Sequence, residues 1–303
     1  MKNYTVVITG GGTGGHIFPG IAIAQEMLSR NSGIRVVFIG TKRKVDAQAM
    51  KNYGFETRTV HGQALKGKGL WAKLQAIALL PLSLVQALYV LRNIRPDIVI
   101  GVGGYVTGPV VVAAKLLGVP CCIHEQNSLP GMANRKLGAL VDKVFLSLPG
   151  SERFFPGEKC LLTGNPLRGE ILKLVKEGRE ELTPTLVVLG GSQGAHRINQ
   201  IVPQALALIK DKLPNGFTVI HQTGSTDAES VSLEYSRIGI SAQVAPFFNS
   251  MAEVYGKASL VVSRAGATTI AELTALCLPM ILIPFPFAAD DHQKKNAQIL
   301  VEK

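Results

Sequence analysis

Cysteine is scarce and unpatterned: Cys121, Cys122, Cys160 and Cys277 are the four among 303 residues. None forms a C-x-x-C pair, and adjacent cysteines such as Cys121 and Cys122 rarely bridge each other. Neither a zinc site nor a disulfide framework is expected, and a reducing compartment fits. Aromatic residues reach only 6%. With no long Lys/Arg block and no zinc-finger spacing, the marks of a nucleic-acid binder are missing. Nucleic acid therefore ranks last among the partners that a net charge of +11 would suit, behind anionic lipid headgroups and phosphorylated substrates. Met1-Lys2-Asn3-Tyr4 runs straight into an apolar strand, which leaves no room for the apolar core and cleavage site of a secretory signal. A cytoplasmic protein is expected. No low-complexity tract or short-period repeat interrupts the chain.

What is present is a composition of 47% hydrophobic and 17% charged residues, ordinary for a globular protein and long enough for two cores. Short β-branched runs alternate with glycine turns and helix-length segments. Tyr4–Thr9 leads into glycines and a helix predicted from about Pro19 to Arg30, because proline near a first turn is a normal start signal. Further strands are predicted at Arg35–Ile39, Asp97–Ile100, Pro120–Ile123 and Lys143–Ser147. The grammar restarts at Thr185–Leu189, with a helix from about His196 and strands at Phe217–His221, Ser259–Val262 and Met280–Ile283. Near-continuous apolar strands of this kind imply parallel sheets covered on both faces. Two α/β halves follow, joined between Cys160 and Pro184.

One apolar segment stands apart. From Leu74 to Leu91 the chain approaches the roughly 20 apolar residues of a membrane-spanning helix. Gln75, Pro81, Ser83 and Gln86 interrupt it. Leu70, Leu74, Ile77, Pro81, Leu84 and Leu88 form one stripe at helical spacing, expected to face the core. Trp71, Ala78, Leu82, Val85 and Tyr89 widen the apolar surface, and Lys66, Lys68, Lys73, Arg92 and Arg95 flank it. A buried helix and a membrane-contact surface both fit; a true span fits least.

The chemistry concentrates in two glycine loops. Gly10, Gly12 and Gly15 satisfy G-x-G-x-x-G between a strand and a helix, where backbone amides converge on anionic oxygens. A dinucleotide site would also want an acidic residue after the second strand, and Gly40-Thr41-Lys42-Arg43 offers none. The second loop, Gly190-Gly191-Ser192-Gln193-Gly194, heads the second half. Two such loops suit a two-substrate nucleotide-sugar transferase better than a dehydrogenase, and Ser192 could donate to a diphosphate beside the local amides.

Several runs, in order, cover nearly the whole chain. They are Gly11-Gly12-Thr13-Gly14-Gly15-His16 with Phe18-Pro19-Gly20, Gly103-Gly104-Tyr105 with Gly108-Pro109, His124-Glu125-Gln126-Asn127, and Gly164-Asn165-Pro166-Leu167-Arg168. The second half adds Gly190–Ala195, Arg264-Ala265-Gly266-Ala267, Glu272, and His292-Gln293 with Asn296-Ala297. Together they resemble the MurG family of glycosyltransferases. The resemblance implies a GT-B fold, with two Rossmann-like domains whose parallel sheets face across a cleft. Residues 1–163 would be the acceptor and membrane-associating domain, and 164–303 the UDP-GlcNAc-binding domain. It implies inverting transfer of GlcNAc from UDP-GlcNAc to the C4 hydroxyl of lipid-linked muramyl-pentapeptide, at the anionic cytoplasmic face of the cell membrane, with no cofactor and no metal. No D-x-D pair is placed to bridge a metal to diphosphate, and Asp290-Asp291 read as solvated loop acids. The family normally continues past a helix such as the one predicted from His292, so a C-terminal domain lacking its last helices is expected.

The same resemblance assigns the site. His16 is the candidate general base, since an unperturbed imidazole titrates near neutral pH; a role confined to hydrogen-bonding the loop or a phosphate is the alternative, and Glu125 is the rival base. Thr13, Gly14 and Gly15 would face the donor, Asn127 would bind its sugar, and Arg168 with Ser192 would meet its diphosphate. The backbone of Phe248 would meet the uracil edge. Ala267, Thr268, Thr269, Ile270 and Ala271 would wrap the nucleotide, Glu272 would accept from both ribose hydroxyls, and Gln293 would contact the GlcNAc hydroxyls. His221, Asp227 and Cys277 read as structural. Another GT-B lipid glycosyltransferase, a nucleotide-sugar epimerase, or a non-catalytic nucleotide-sugar-binding fragment would share the loops.

Overall fold

The computed structural model describes residues 3–12, 14–41, 53–62, 78–179, 183–191 and 194–302. The chain divides into two compact units, Met1–Arg168 and Gly169–Lys303. In the first, the order is β1 (Thr5–Gly10), α1 (Gly14–Arg30), β2 (Arg35–Gly40), β3 (Glu56–Thr59), α2 (Leu80–Ile94), β4 (Ile98–Gly103), α3 (Thr107–Leu116), β5 (Cys121–Glu125), α4 (Met132–Leu137), β6 (Lys143–Leu146) and β7 (Cys160–Leu162). The seven strands lie in the order β3-β2-β1-β4-β5-β6-β7. Each pairing is parallel.

The central strand β1 is apolar on both sides because both sides are covered. Period-two alternation sends Val7 into a cluster with Val37, Val99 and Ala87, while Val6 and Ile8 pack on the opposite face with Ile17, Ile21 and Phe38. Helix α1 begins at Gly14, five residues before the predicted start, and Pro19 lies inside it. A proline there cannot donate to the helical ladder. Burial of Ile17, Ile21 and Ala24 against the sheet holds the helix regardless.

Helix α2 departs from the predicted stripe. Its buried residues are Ser83, Ala87, Leu91 and Ile94, while Leu84 and Leu88 pack only partly buried beside them and Pro81 is exposed. The physical reason is size. Small residues at 83 and 87 let the helix backbone approach its neighbours closely, and the Ser83 hydroxyl is satisfied by the Leu79 carbonyl at 2.8 Å. Leucine periodicity marks only the flank of such a contact. The predicted outward residues Leu82, Val85 and Tyr89 are 46%, 62% and 69% exposed, and Arg92 and Arg95 are exposed beside them. Leu70, Trp71, Leu74, Ile77, Lys66, Lys68 and Lys73 lie outside the described residues. Among the described residues, no helix is long and apolar enough to cross a membrane.

The second unit repeats the plan with α5 (Gly169–Glu177), β8 (Thr185–Leu189), α6 (His196–Leu208), β9 (Thr218–Gln222), α7 (Ala228–Ile238), β10 (Ser241–Ala245), α8 (Met251–Gly256), β11 (Leu260–Ser263), α9 (Ala267–Ala275), β12 (Met280–Leu282) and α10 (His292–Val301). Its five parallel strands run β10-β9-β8-β11-β12. Val187 and Leu189 pack with Tyr255 and Leu273 on one face, Leu186 and Val188 with Ile198 and Tyr235 on the other. Three strands are not announced by the sequence pattern: β3, β7 and β10. All three are sheet edges. β3 is polar, β10 is interrupted by polar residues and β7 is only three residues long, so none carries the long apolar run that announces a central strand.

Candidate active site

In each unit the polar residues of interest gather where parallel strands end and loops begin, the position at which open α/β sheets bind ligands. In the first unit the ends of β1 and β4 come into backbone contact. The Gly11 amide donates to the Gly103 carbonyl at 3.2 Å. Gly103 and Gly104 have φ of 100° and 96°, a region favouring glycine. A Cβ on Gly104 would lie 2.2 Å from the Gly11 carbonyl oxygen, and one on Gly103 would lie 2.7 Å from Nδ1 of His16. The Thr107 hydroxyl, fully buried, points at the Gly103 and Thr9 carbonyls (2.9 and 3.2 Å) and ties the two strand ends together.

His16, in the first turn of α1, is thereby seated over Gly103. Its Nδ1 lies 3.0 Å from Oε1 of Gln126. Gln126 is buried, and its Nε2 donates to the Val102 carbonyl at 3.0 Å and lies 3.1 Å from Nδ1 of His124. His124 in turn has Nε2 3.2 Å from both the Gly164 carbonyl and the Ser147 hydroxyl. Burial pushes the His124 pKa down to about 4, with the neighbouring His16 adding to the effect and the Gly164 carbonyl opposing it. His124 is therefore neutral at physiological pH.

Glu125 ends β5 almost completely buried. One carboxylate oxygen accepts from the backbone and side-chain amides of Asn127 (2.9 and 3.3 Å), the other from the Asn134 side chain (2.9 Å) and the Gly131 amide (3.3 Å). Burial pushes its pKa up, while the Asn127 amide and the Asn134 side chain pull it back. Four N–H donors facing four lone pairs is the arrangement that suits an ionised carboxylate, and it folds the 126–131 loop and the start of α4 around Glu125. Asn127 is thus part of that loop's anchor. Gln126 and Asn134 hold His16 and Glu125 by hydrogen bonds; in the sequence only the polar run Gln126-Asn127 after an apolar strand, and Asn134 in the next helix, mark them.

Arg168, the last residue of the first unit, is buried and stacks its guanidinium over the Phe18 ring at 4.9 Å. Phe18 also packs against Gly14, where a Cβ would meet the ring at 3.0 Å. The structure therefore brings His16, Gly14, Gly15, Glu125, Asn127 and Arg168 around one sheet end. Thr13 lies outside the described residues, as does Ser192.

In the second unit the loop after β8 turns through Gly191 and Gly194 (φ of 78° and 77°). A Cβ on Gly194 would fall 2.2 Å from the Thr223 carbonyl, so the backbone at Gly194 packs directly on the backbone that follows β9. Gln222, ending β9, donates to the Gly191 carbonyl (3.2 Å) and accepts from the Phe248 amide (3.1 Å). Phe248 edges a hollow of about 380 Å³ that Asn249, Ser250, Glu253 and Lys257 also line. Ala267 to Glu272 form the opening of α9, whose first N–H groups have no acceptor within the helix. Glu272 is buried and accepts from the Tyr255 hydroxyl at 3.2 Å. Gln293 accepts from the Phe285 amide (2.9 Å), and buried Asn296 donates to the Ala265 carbonyl (3.2 Å), so α10 is fastened to the β11–α9 turn. His221 sits in the core between Tyr235 (3.0 Å) and Asn199 (3.1 Å), its pKa lowered by burial to about 4. Asp227 accepts from Asn199 at 2.7 Å and pairs with His196 at 2.9 Å. Cys277 is exposed. Asp290 and Asp291 lie in a short turn with positive φ before α10.

Comparison with known proteins gives consistent results for both halves. The profile of the Glycosyltransferase family 28 N-terminal domain matches residues 6–146, and that of the Glycosyltransferase family 28 C-terminal domain matches 185–303. The chain is 49% identical over 298 residues to a protein of Desulfotalea psychrophila named UDP-N-acetylglucosamine–N-acetylmuramyl-(pentapeptide) pyrophosphoryl-undecaprenol N-acetylglucosamine transferase. That alignment covers 98% of this chain and 81% of the relative. Among solved structures, Acinetobacter baumannii MurG superposes with a TM-score of 0.74 at 30% identity, over 99% of this chain and 84% of that one. The UDP-GlcNAc 2-epimerase of Neisseria meningitidis, solved bound to UDP-GlcNAc, gives 0.62 at 16% identity, over 98% and 91%. That second likeness speaks for the fold alone. The two parallel α/β units are of the GT-B class.

The two buried histidines make the protein acid-sensitive in a defined window. Both are neutral when folded, with pKa near 4, against about 6.5 when unfolded. The unfolded state therefore binds more protons between these values, so their contribution is complete above pH 6.5 and lost as pH falls toward 4. Each should remove on the order of 3 kcal/mol across that range. Urea midpoints measured from pH 7 to pH 4 should fall, and replacing His221 by Gln should flatten the fall in the second unit's transition; an unchanged slope would contradict the assignment.

Proposed function

The chain belongs to the MurG family of glycosyltransferases, and from that premise we propose that it moves GlcNAc from UDP-GlcNAc to the C4 hydroxyl of lipid-linked muramyl-pentapeptide. The observation that carries the reading is 49% identity along almost the whole chain to a transferase of that name, with the loop residues of both units at strand ends. The first unit takes the acceptor and the second the nucleotide sugar.

His16 is the base. Both oxygens of Glu125 already accept two N–H bonds each, which supports a loop-holding role for that carboxylate and leaves the proton transfer to His16. The C4 hydroxyl gives its proton to the imidazole as its oxygen attacks the anomeric carbon of GlcNAc. The bond from that carbon to the diphosphate oxygen breaks in the same step, its electrons leave with UDP, and the configuration inverts. We assign Arg168, Ser192 and loop amides to the leaving charge, which hydrogen-bond donors stabilise as it develops. The N-terminal turn of α9 wraps the nucleotide, Glu272 takes the ribose hydroxyls, the Phe248 backbone takes the uracil edge, and Asn127 and Gln293 take the sugar. Gly14 and Gly15, with Thr13, face the donor. No metal enters this mechanism.

The acceptor's polyprenyl tail stays in the bilayer, so the enzyme must work at the membrane surface, which we place at the cytoplasmic face. The outward row Leu82, Val85 and Tyr89 with exposed Arg92 and Arg95 supports that surface on α2. Apolar side chains enter the headgroup boundary while the arginines meet anionic lipid.

Three measurements test the proposal. Radiolabelled GlcNAc should pass from UDP-GlcNAc to a short-chain lipid I analogue in EDTA, and His16→Ala should lower kcat by about 10²–10⁴-fold with UDP affinity retained in calorimetry. UDP binding without transfer by the unaltered chain would reduce the reading to a nucleotide-sugar-binding fragment, and activity in His16→Ala would remove the base. In sedimentation with vesicles containing anionic phospholipid, Val85→Glu with Tyr89→Glu should weaken binding by about tenfold or more. Undiminished sedimentation would place the membrane surface elsewhere.

A further inference from the structure

We propose that Gln126 is a positioning residue that fixes the tautomer of His16, holding the proton on Nδ1 and the lone pair on Nε2. The proposal follows from hydrogen-bond direction. The amide end of Gln126 that lies 3.0 Å from the Val102 carbonyl and 3.3 Å from the His124 carbonyl faces acceptors that cannot donate. That end is therefore the NH2 group. The other end, the carbonyl oxygen Oε1, is the atom 3.0 Å from Nδ1 of His16. An amide oxygen only accepts, so Nδ1 of His16 must carry a hydrogen. In the neutral ring, Nε2 is then the unprotonated nitrogen.

The chain of direction continues on the other side. The Gln126 NH2 group also lies 3.1 Å from Nδ1 of His124, which accepts. His124 then carries its hydrogen on Nε2, facing the Gly164 carbonyl and the Ser147 hydroxyl at 3.2 Å. The Ser147 hydroxyl donates onward to Oδ1 of Asn165 at 3.2 Å. Every member of the relay has one direction, and backbone carbonyls at Val102 and Gly164 set it. Gln126 and His124 are both buried, so water does not compete for these bonds.

The consequence is chemical. A histidine side chain left to itself favours the hydrogen on Nε2, which would present an N–H to an approaching hydroxyl and leave no base there. Which ring nitrogen is protonated is decided by the bond made by the other. A neutral amide also adds no charge beside the ring, unlike a carboxylate partner. The inference rests on the transfer reading above only for what Nε2 receives; the tautomer itself is a property of the free protein.

Nitrogen-15 NMR of the ring of His16, in the full chain labelled at histidine, reads that property directly. The expected spectrum at a pH where the ring is neutral shows a pyrrole-type Nδ1 and a pyridine-type Nε2. A pyridine-type Nδ1 in the unaltered protein would overturn the proposal whatever the activity. Gln126→Met removes the acceptor at nearly constant volume. In that variant the Nε2–H form should grow in, and kcat should fall about 10²-fold with KM for UDP-GlcNAc little changed. A kcat within twofold of the unaltered enzyme would also overturn it. The expected tautomer in a chain that transfers no GlcNAc would sustain the positioning of His16 and count against the transfer reading instead.

Discussion

Two backbone segments cross at the ends of β1 and β4 with no room for a side chain between them, and the first unit's chemistry is organised around that crossing. Gly104 meets the backbone of Gly11, Gly103 carries the imidazole of His16 on its surface, and Thr107 binds both strand ends through their carbonyls. Parallel pairing of β1 with β4 makes the approach possible, because it brings two strand ends to the same edge of the sheet. Apolar packing on both faces of β1 then fixes the height of the loop above the core. His16 has little freedom left once its ring is trapped between Gly103 and Gln126.

A second layer of constraint supports the first. Glu125 and His124 are neighbours on β5, and period-two alternation sends them to opposite sides of the strand. Glu125 gathers the following loop through four amide hydrogens, and His124 orients Gln126. A buried acid and a buried imidazole are costly to place, and each is compensated by a full set of partners. The second unit uses the same device with different residues: Gln222 at the end of β9 bridges the glycine loop and Phe248, and Asn296 fastens α10 to the opening of α9.

Much of this was legible in the sequence, and each departure has its own physical cause. Central strands were readable because burial on both faces forces apolar runs, as in Thr185–Leu189. Edge strands such as Cys160–Leu162 bear no such pressure. The glycine loops declared themselves, since positive φ and close backbone approach admit little else. The face of α2 did not: Ser83 and Ala87 mark a tight contact by being small, which a search for leucines overlooks. Pro19 suggests a helix start, whereas burial of Ile17 and Ile21 carries α1 through it. Gln126 was visible as part of a motif, but its role depends on which carbonyl its amide faces, a fact that exists only in three dimensions.

The most direct test of this account is the kcat of Gly103→Ala at saturating donor and acceptor, with UDP affinity measured alongside. This methyl group adds no functional atom and would sit 2.7 Å from Nδ1 of His16. If the glycine crossing seats the base, kcat should fall by about 10²-fold, as when a general base is displaced, while UDP affinity, to which His16 contributes nothing in the proposed mechanism, stays the same. Unchanged turnover would mean that His16 does not need that seat, and that the proton leaves by another route.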